Sequence, residues 1–112
     1  MFSQRVKNVV KFEIDHALAA RENGLEGRAR VCSRRAAGFA IRAYLENRGV
    51  DTPDISALAL IRQLDSLKGA SSQVKTVTEH LLMRVDEDFT LPVQADLIAE
   101  ALWLVEYLEN ET

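Results

Sequence analysis

The stretch that decides the fold is 27-GRARVCSRRAAGFAIRAYLENRG-49, in which six arginines and one acid are separated by small or apolar residues. At 100° per residue, Ala29, Cys32, Ala36, Phe39, Ala40 and Ala43 make one narrow stripe, small except for a single ring. Small side chains let a neighbouring helix approach closely. Ile41, Tyr44 and Leu45 carry the apolar surface round a second side, so this segment is expected to be a long central helix, about 28 to 48, with Gly49 at C′. The arginines occupy what remains. Arg28, Arg35 and Arg42 recur every seventh position along one edge, and Arg30, Arg34 and Arg48 lie on another.

The rest of the chain reads as helices on either side of it. A first helix is expected from about 3 to 22, with Phe2, Val6, Val9, Val10, Ile14, Ala17 and Ala20 on one broad face and Lys7, Asn8, Lys11, Asp15 and Glu22 on the other. It ends in NGLEG, where Asn23 or Gly24 can take the left-handed conformation. After GVDTPD, Asp54 suits the N-cap of a shorter helix, ISALALIRQLDSLK, closed by Gly69, with Ile55, Leu58, Ile61, Leu64 and Leu67 inward. A fourth helix starts in SSQV and buries Val74, Val77, Leu81, Leu82, Val85 and Phe89. FTLP interrupts it. Pro92 suits the first turn of a last helix reaching about Glu109, with Leu97, Ala101, Leu104, Val105 and Leu108 inward and Asp96, Glu100, Trp103 and Tyr107 in a polar and aromatic line. No strand pattern and no repeat period is visible. The fold class is therefore all-α: one up-and-down bundle spanning residues 1–112, with four long helices and one short one.

Composition narrows the function classes. A length of 112 residues, 47% hydrophobic and 28% charged, is ordinary for a soluble globular chain. The one cysteine, Cys32, excludes an internal disulfide and a cysteine-built zinc site, and points to a reducing, cytoplasmic setting. MFSQRVKNVVKFEID has no uninterrupted apolar run, so no membrane role is expected. The net charge of −3 conceals an asymmetry: residues 86–112 hold eight acids and no base, whereas positive charge collects in 28–48. Acidic tail and basic helix are expected to neutralise each other.

Each candidate chemistry has a structural counterpart. EIDH at 13–16 places Glu13 and His16 one turn apart, the spacing of carboxylate-bridged iron or manganese sites in bundles. Such a site needs a second copy, and His80 has no Glu three residues before it, so no metal is expected and Glu13 and His16 read as a surface or edge pair. Cys32 lies on the alanine stripe, where burial makes a thiol inert. Phosphate-loop, dinucleotide and hydrolase motifs are absent, so no catalytic residue and no cofactor are assigned. GVDTPDI is too long and too acidic for the turn of a helix-turn-helix. The flanking arginines can lay their methylene stems over the packed stripe and send their guanidinium groups to solvent or to the acidic last helix.

The order EIDHALAARENGLEGRARVCSRRAAGFAIRAYLENRG, ISALALIRQL, HLLMRVDEDFTLP and AEALWLVEYLEN resembles the HEPN (higher eukaryote and prokaryote nucleotide-binding) helical domain over nearly the whole chain. The resemblance implies an up-and-down bundle that commonly dimerises. Nuclease members carry an arginine followed four to six residues later by a histidine near the last helices. Arg84 is the nearest counterpart of that arginine, but VDEDFTLP after it offers no histidine, so no ribonuclease activity carries over. What the resemblance implies is a non-catalytic module, a homodimer or the partner of a second protein. The alternative is nucleotide or RNA binding through the arginine edges, with Arg28, Arg30, Arg34, Arg35, Arg42 and Arg84 as the candidate contacts.

Overall fold

The computed structural model describes residues 1–52, 56–67, 69, 71–84, 91 and 93–112, and it is all-helical. Five helices follow one another: α1 (Gln4–Glu22), α2 (Glu26–Asn47), α3 (Ala57–Asp65), α4 (Ser72–Leu82) and α5 (Leu97–Asn110). No strand occurs among the described residues.

Helix boundaries follow from local chemistry. Ser3, Ser56 and Ser71 cap α1, α3 and α4, each side chain accepting from the amide three residues on. Gly24 and Gly49, at φ 72° and 78°, close α1 and α2. In both turns two amides bond back to the last helical carbonyls: Leu25 N to Ala20 O and Gly24 N to Arg21 O, then Val50 N to Leu45 O and Gly49 N to Glu46 O. This paired closure requires a left-handed residue, which glycine supplies without a Cβ clash. Asn23, the other candidate at the first turn, stays at φ −94°.

Several boundaries depart from those the sequence suggests. α2 begins at Glu26, two residues earlier than expected. α3 is capped by Ser56 and ends at Asp65, short of Lys68; the Asp54 cap and Ile55 lie outside the described residues. α4 ends at Leu82 because Met83 is extended (φ −63°, ψ 139°), and Val85 and Phe89 also lie outside the described residues. The last helix starts at Leu97. Asp96 is its cap, its Oδ1 accepting from the amides of Ile98 and Ala99, and Pro92 is not among the described residues.

α2 packs against α1, α5 and α3, and its two sides do different work. Its small side, Ala29, Cys32 and Ala36, meets Val10, Ile14, Ala17 and Ala20 of α1, together with Ile98 and Ala101 of α5. Its bulkier side, Ala37, Ala40, Ile41 and Leu45, joins Leu60, Ile61 and Leu64 of α3, Val74, Val77 and Leu81 of α4, and Leu97, Leu104 and Leu108 of α5. Alanines suit the close α1–α2 hairpin. Leucines and isoleucines fill the wider space among three helices. Phe39, expected on the packed stripe, is 38% exposed, because its position falls in the opening between α1 and α3. Leu58 and Leu67, expected inward, are also exposed: α3 is short and only its Leu60–Ile61–Leu64 side reaches the core.

Gly38 stands mid-helix for a steric reason. A Cβ there would lie 3.0 Å from Ala57 Cβ and 3.1 Å from Ala57 Cα, so the start of α3 rests on bare α2 backbone. At Gly27, near the start of the same helix, an added Cβ would meet nothing within 4 Å. Chemical denaturation should therefore give opposite signs: Gly27→Ala gains up to about 1 kcal/mol from helix propensity, whereas Gly38→Ala loses roughly 1 to 2 kcal/mol as overpacking outweighs that gain.

Candidate functional site

Five of the six candidate arginines separate into two sets once the helices are assembled. Arg35 and Arg42 stand with Glu13, Gly38, Phe39, Ala57 and Leu60 around a pocket of about 330 Å³ between α1, α2 and α3. Arg28, on the same edge, is exposed and outside it. Arg30, Arg34 and Arg84 line a second pocket, about 470 Å³, with Gly27, Leu58, Arg62, Leu82 and Met83.

Arg34 has a structural task. Its Nε donates to Leu81 O at 2.7 Å and its Nη2 to Met83 O at 3.3 Å, capping carbonyls at the end of α4. Burial, and then the neighbouring Arg30, push its pKa below the usual arginine value. No sequence signal marks Arg62 as a member of this pocket, since only the tertiary arrangement brings α3 alongside Arg30.

Glu13 departs most from expectation. It is only 6% exposed and is not paired with His16, whose Nδ1 lies 2.8 Å from Phe12 O and whose ring rests on Phe12 at the surface. No described residue hydrogen-bonds or ion-pairs with the Glu13 carboxylate. A signal for its burial is present in the sequence: Val6, Val10, Glu13, Ala17 and Ala20 recur at alternating spacings of four and three, the seam of two closely packed helices. Among the described residues no group of three or more His, Cys, Asp or Glu is placed to hold a metal ion. Cys32 is buried near Glu13; desolvation, and then the carboxylate's charge, push its thiol up, away from the reactive thiolate.

The acids of the last helix are met mainly by α1 and α4. Lys7 lies 3.6 Å from Glu109, and His80, expected on the polar side of α4, lies 2.7 Å from Glu100. Asp86, Glu87 and Asp88 of the acidic tail are outside the described residues. Arg21 ties three helix ends together: Nε and Nη2 donate to the two oxygens of Glu26 at 3.0 and 2.9 Å, and Nη1 donates to Asp96 Oδ1 at 3.0 Å. The hydrogen bond to Glu26 is the main reason the Arg21 pKa lies above its usual value, and the same bond holds Glu26 below the carboxylate range. Burial alone would raise Asp96, but the Ala99 amide and Arg21 hold it low.

Trp103 and Tyr107, the aromatic line of α5, stack with centroids 5.2 Å apart and are half-buried. Among the described residues no helix is long and apolar enough to cross a membrane.

Because both carboxyls are depressed in the folded protein, the stabilisation from this cluster is present above the unfolded carboxylate pKa of about 4 and lost as the pH falls through the folded values. Glu26→Gln should therefore cost about 0.5 to 1 kcal/mol near neutral pH, a value set by the partial exposure of all three side chains. In denaturation curves across pH, the gap from the parent protein should close toward about pH 2 to 3.

Comparison with family models, curated proteins and solved structures finds no match to this chain.

Proposed function

We propose that this chain is a non-catalytic, HEPN-like helical interaction module, cytoplasmic, that assembles as a homodimer through the face formed by α1 and α5. The observation that carries this reading is an apolar groove of about 260 Å³ between the two helices, lined by Phe2, Val10, Ile14, Leu102 and Val105, with Lys7, Lys11 and Glu109 at its rim. Leu18, one turn beyond Ile14, is 45% exposed and Leu102 is 44% exposed.

The charge pattern favours a second copy as the occupant. A two-fold interface must be self-complementary. Here the rim is charge-balanced within one chain, Lys7 lying 3.6 Å from Glu109 and Lys11 2.7 Å from Asp15, so two copies related by a two-fold axis can bring their apolar linings together without setting unpaired like charges against each other. Light scattering after gel filtration at micromolar concentration should give twice the 12.5 kDa of one chain. Leu18→Asp with Leu102→Asp should return it to one chain with its helical circular dichroism intact. A monomeric parent protein would overturn the reading.

A second reading, nucleotide or RNA binding, is favoured by the pocket of Arg30, Arg34, Arg62 and Arg84, whose described lining includes no acid. If phosphate is its ligand, Arg62→Gln with Arg84→Gln weakens binding of a short RNA and reduces the slope of log affinity against log salt by about 1.5 to 2. Unchanged binding and slope would dismiss it.

A further inference from the structure

The α1–α2–α3 pocket combines three features that no single structural role accounts for. Its floor holds Glu13, almost wholly withdrawn from solvent, with no hydrogen bond or ion pair from any described residue. The Glu13 oxygens are open to the pocket rather than sealed in, and a carboxylate on so deeply set a side chain is one that proteins ordinarily surround with amides or a cation. Its rim holds the exposed guanidinium of Arg35, with Arg42 further along the same edge of α2. Its remaining walls are apolar: the ring of Phe39, Ala57, Leu60 and the bare backbone of Gly38, on which Ala57 rests.

A simple cation would satisfy Glu13 but be repelled by Arg35. A simple anion would satisfy Arg35 and meet the buried carboxylate. A ligand with both charges on neighbouring atoms answers both ends. We propose that this pocket binds a small zwitterion, an α-amino acid with an apolar side chain, its ammonium group donating to Glu13, its carboxylate accepting from Arg35, and its side chain against Phe39 and Leu60. An ammonium group brings three donors to a carboxylate that has none, and the fork of a guanidinium matches a carboxylate in the plane. A volume of about 330 Å³ is at the small end of ligand sites, enough for a single amino acid. The pocket shares no lining residue with the apolar groove of α1 and α5, so its occupancy and the assembly of two copies are separate questions.

The test is calorimetric titration of the full chain with L-leucine and with its two halves, 3-methylbutylamine, which lacks the carboxylate, and 4-methylpentanoate, which lacks the ammonium group. L-leucine should bind at millimolar concentration or tighter, and each half should bind about tenfold or more weakly, the cost of leaving a charged hydrogen bond unmade. Glu13→Gln, nearly the same shape, should lose that factor for leucine and leave 4-methylpentanoate unaffected or improved. Arg35→Gln, a change at an exposed position, should lose it for leucine and leave 3-methylbutylamine unaffected or improved. The proposal is overturned if leucine, valine and phenylalanine all fail to bind at millimolar concentration, or if either half binds as tightly as leucine. The half-ligand comparison uses the unaltered chain and so stands whether or not the variants fold.

Discussion

The close approach of other helices to the backbone of α2 is the constraint on which the rest of the structure depends. Ala29, Ala36, Ala37 and Ala40 are fully buried, and Gly38 meets Ala57 so closely that a methyl group there would lie only 3.0 Å from it. With side chains this small, helix axes draw near and backbone packs against backbone, so each helix gains dispersion contacts over much of its length. α1, α3 and α5 can therefore all rest on one rod. That leaves α1 and α5 in only slight contact with each other, and it is why the apolar groove between them stays open.

The same arrangement sorts the arginines. A helix surrounded on three sides has little surface left, and whatever lies in the remaining gaps lines a pocket. Arg34 falls where α4 ends and becomes a cap for its carbonyls; Arg35, one residue on, turns by 100° into the opening between α1 and α3. Adjacent residues of one type thus have unrelated roles. Charge balance is similarly local. Arg21, outside the basic segment, makes the best-formed ion-pair cluster of the described residues, because the tight turn after α1 brings Glu26 within reach and the cap of α5 lies alongside.

Apolar periodicity, serine caps and the glycines at 24 and 49 are local features, and they are enough to establish an all-helical chain with a long central α2 and its small-residue stripe. Each acts within a few residues, so it is visible in the order of amino acids. The start of α5 and the end of α3 are not legible in this way, since a favourable residue such as Pro92 permits a helix without requiring one and tertiary packing chooses the turn at which it begins. The exposure of Phe39 and Leu58 is not legible either: both lie on apolar sides of their helices, and only the positions of the neighbours decide which part of such a side is covered.

The candidate site divides along the same line. That arginines would fringe α2 follows from their spacing alone, because residues seven apart on a helix share an edge whatever surrounds it. Which of them share a pocket with Glu13, which cap a helix and which are joined by Arg62 depended on distances between segments far apart in the chain. Glu13 marks the boundary: its alternating four-and-three spacing with Val10, Ala17 and Ala20 was written in the sequence, but its burial beside α2 and α3, with no hydrogen bond from any described residue, was decided only when the helices packed.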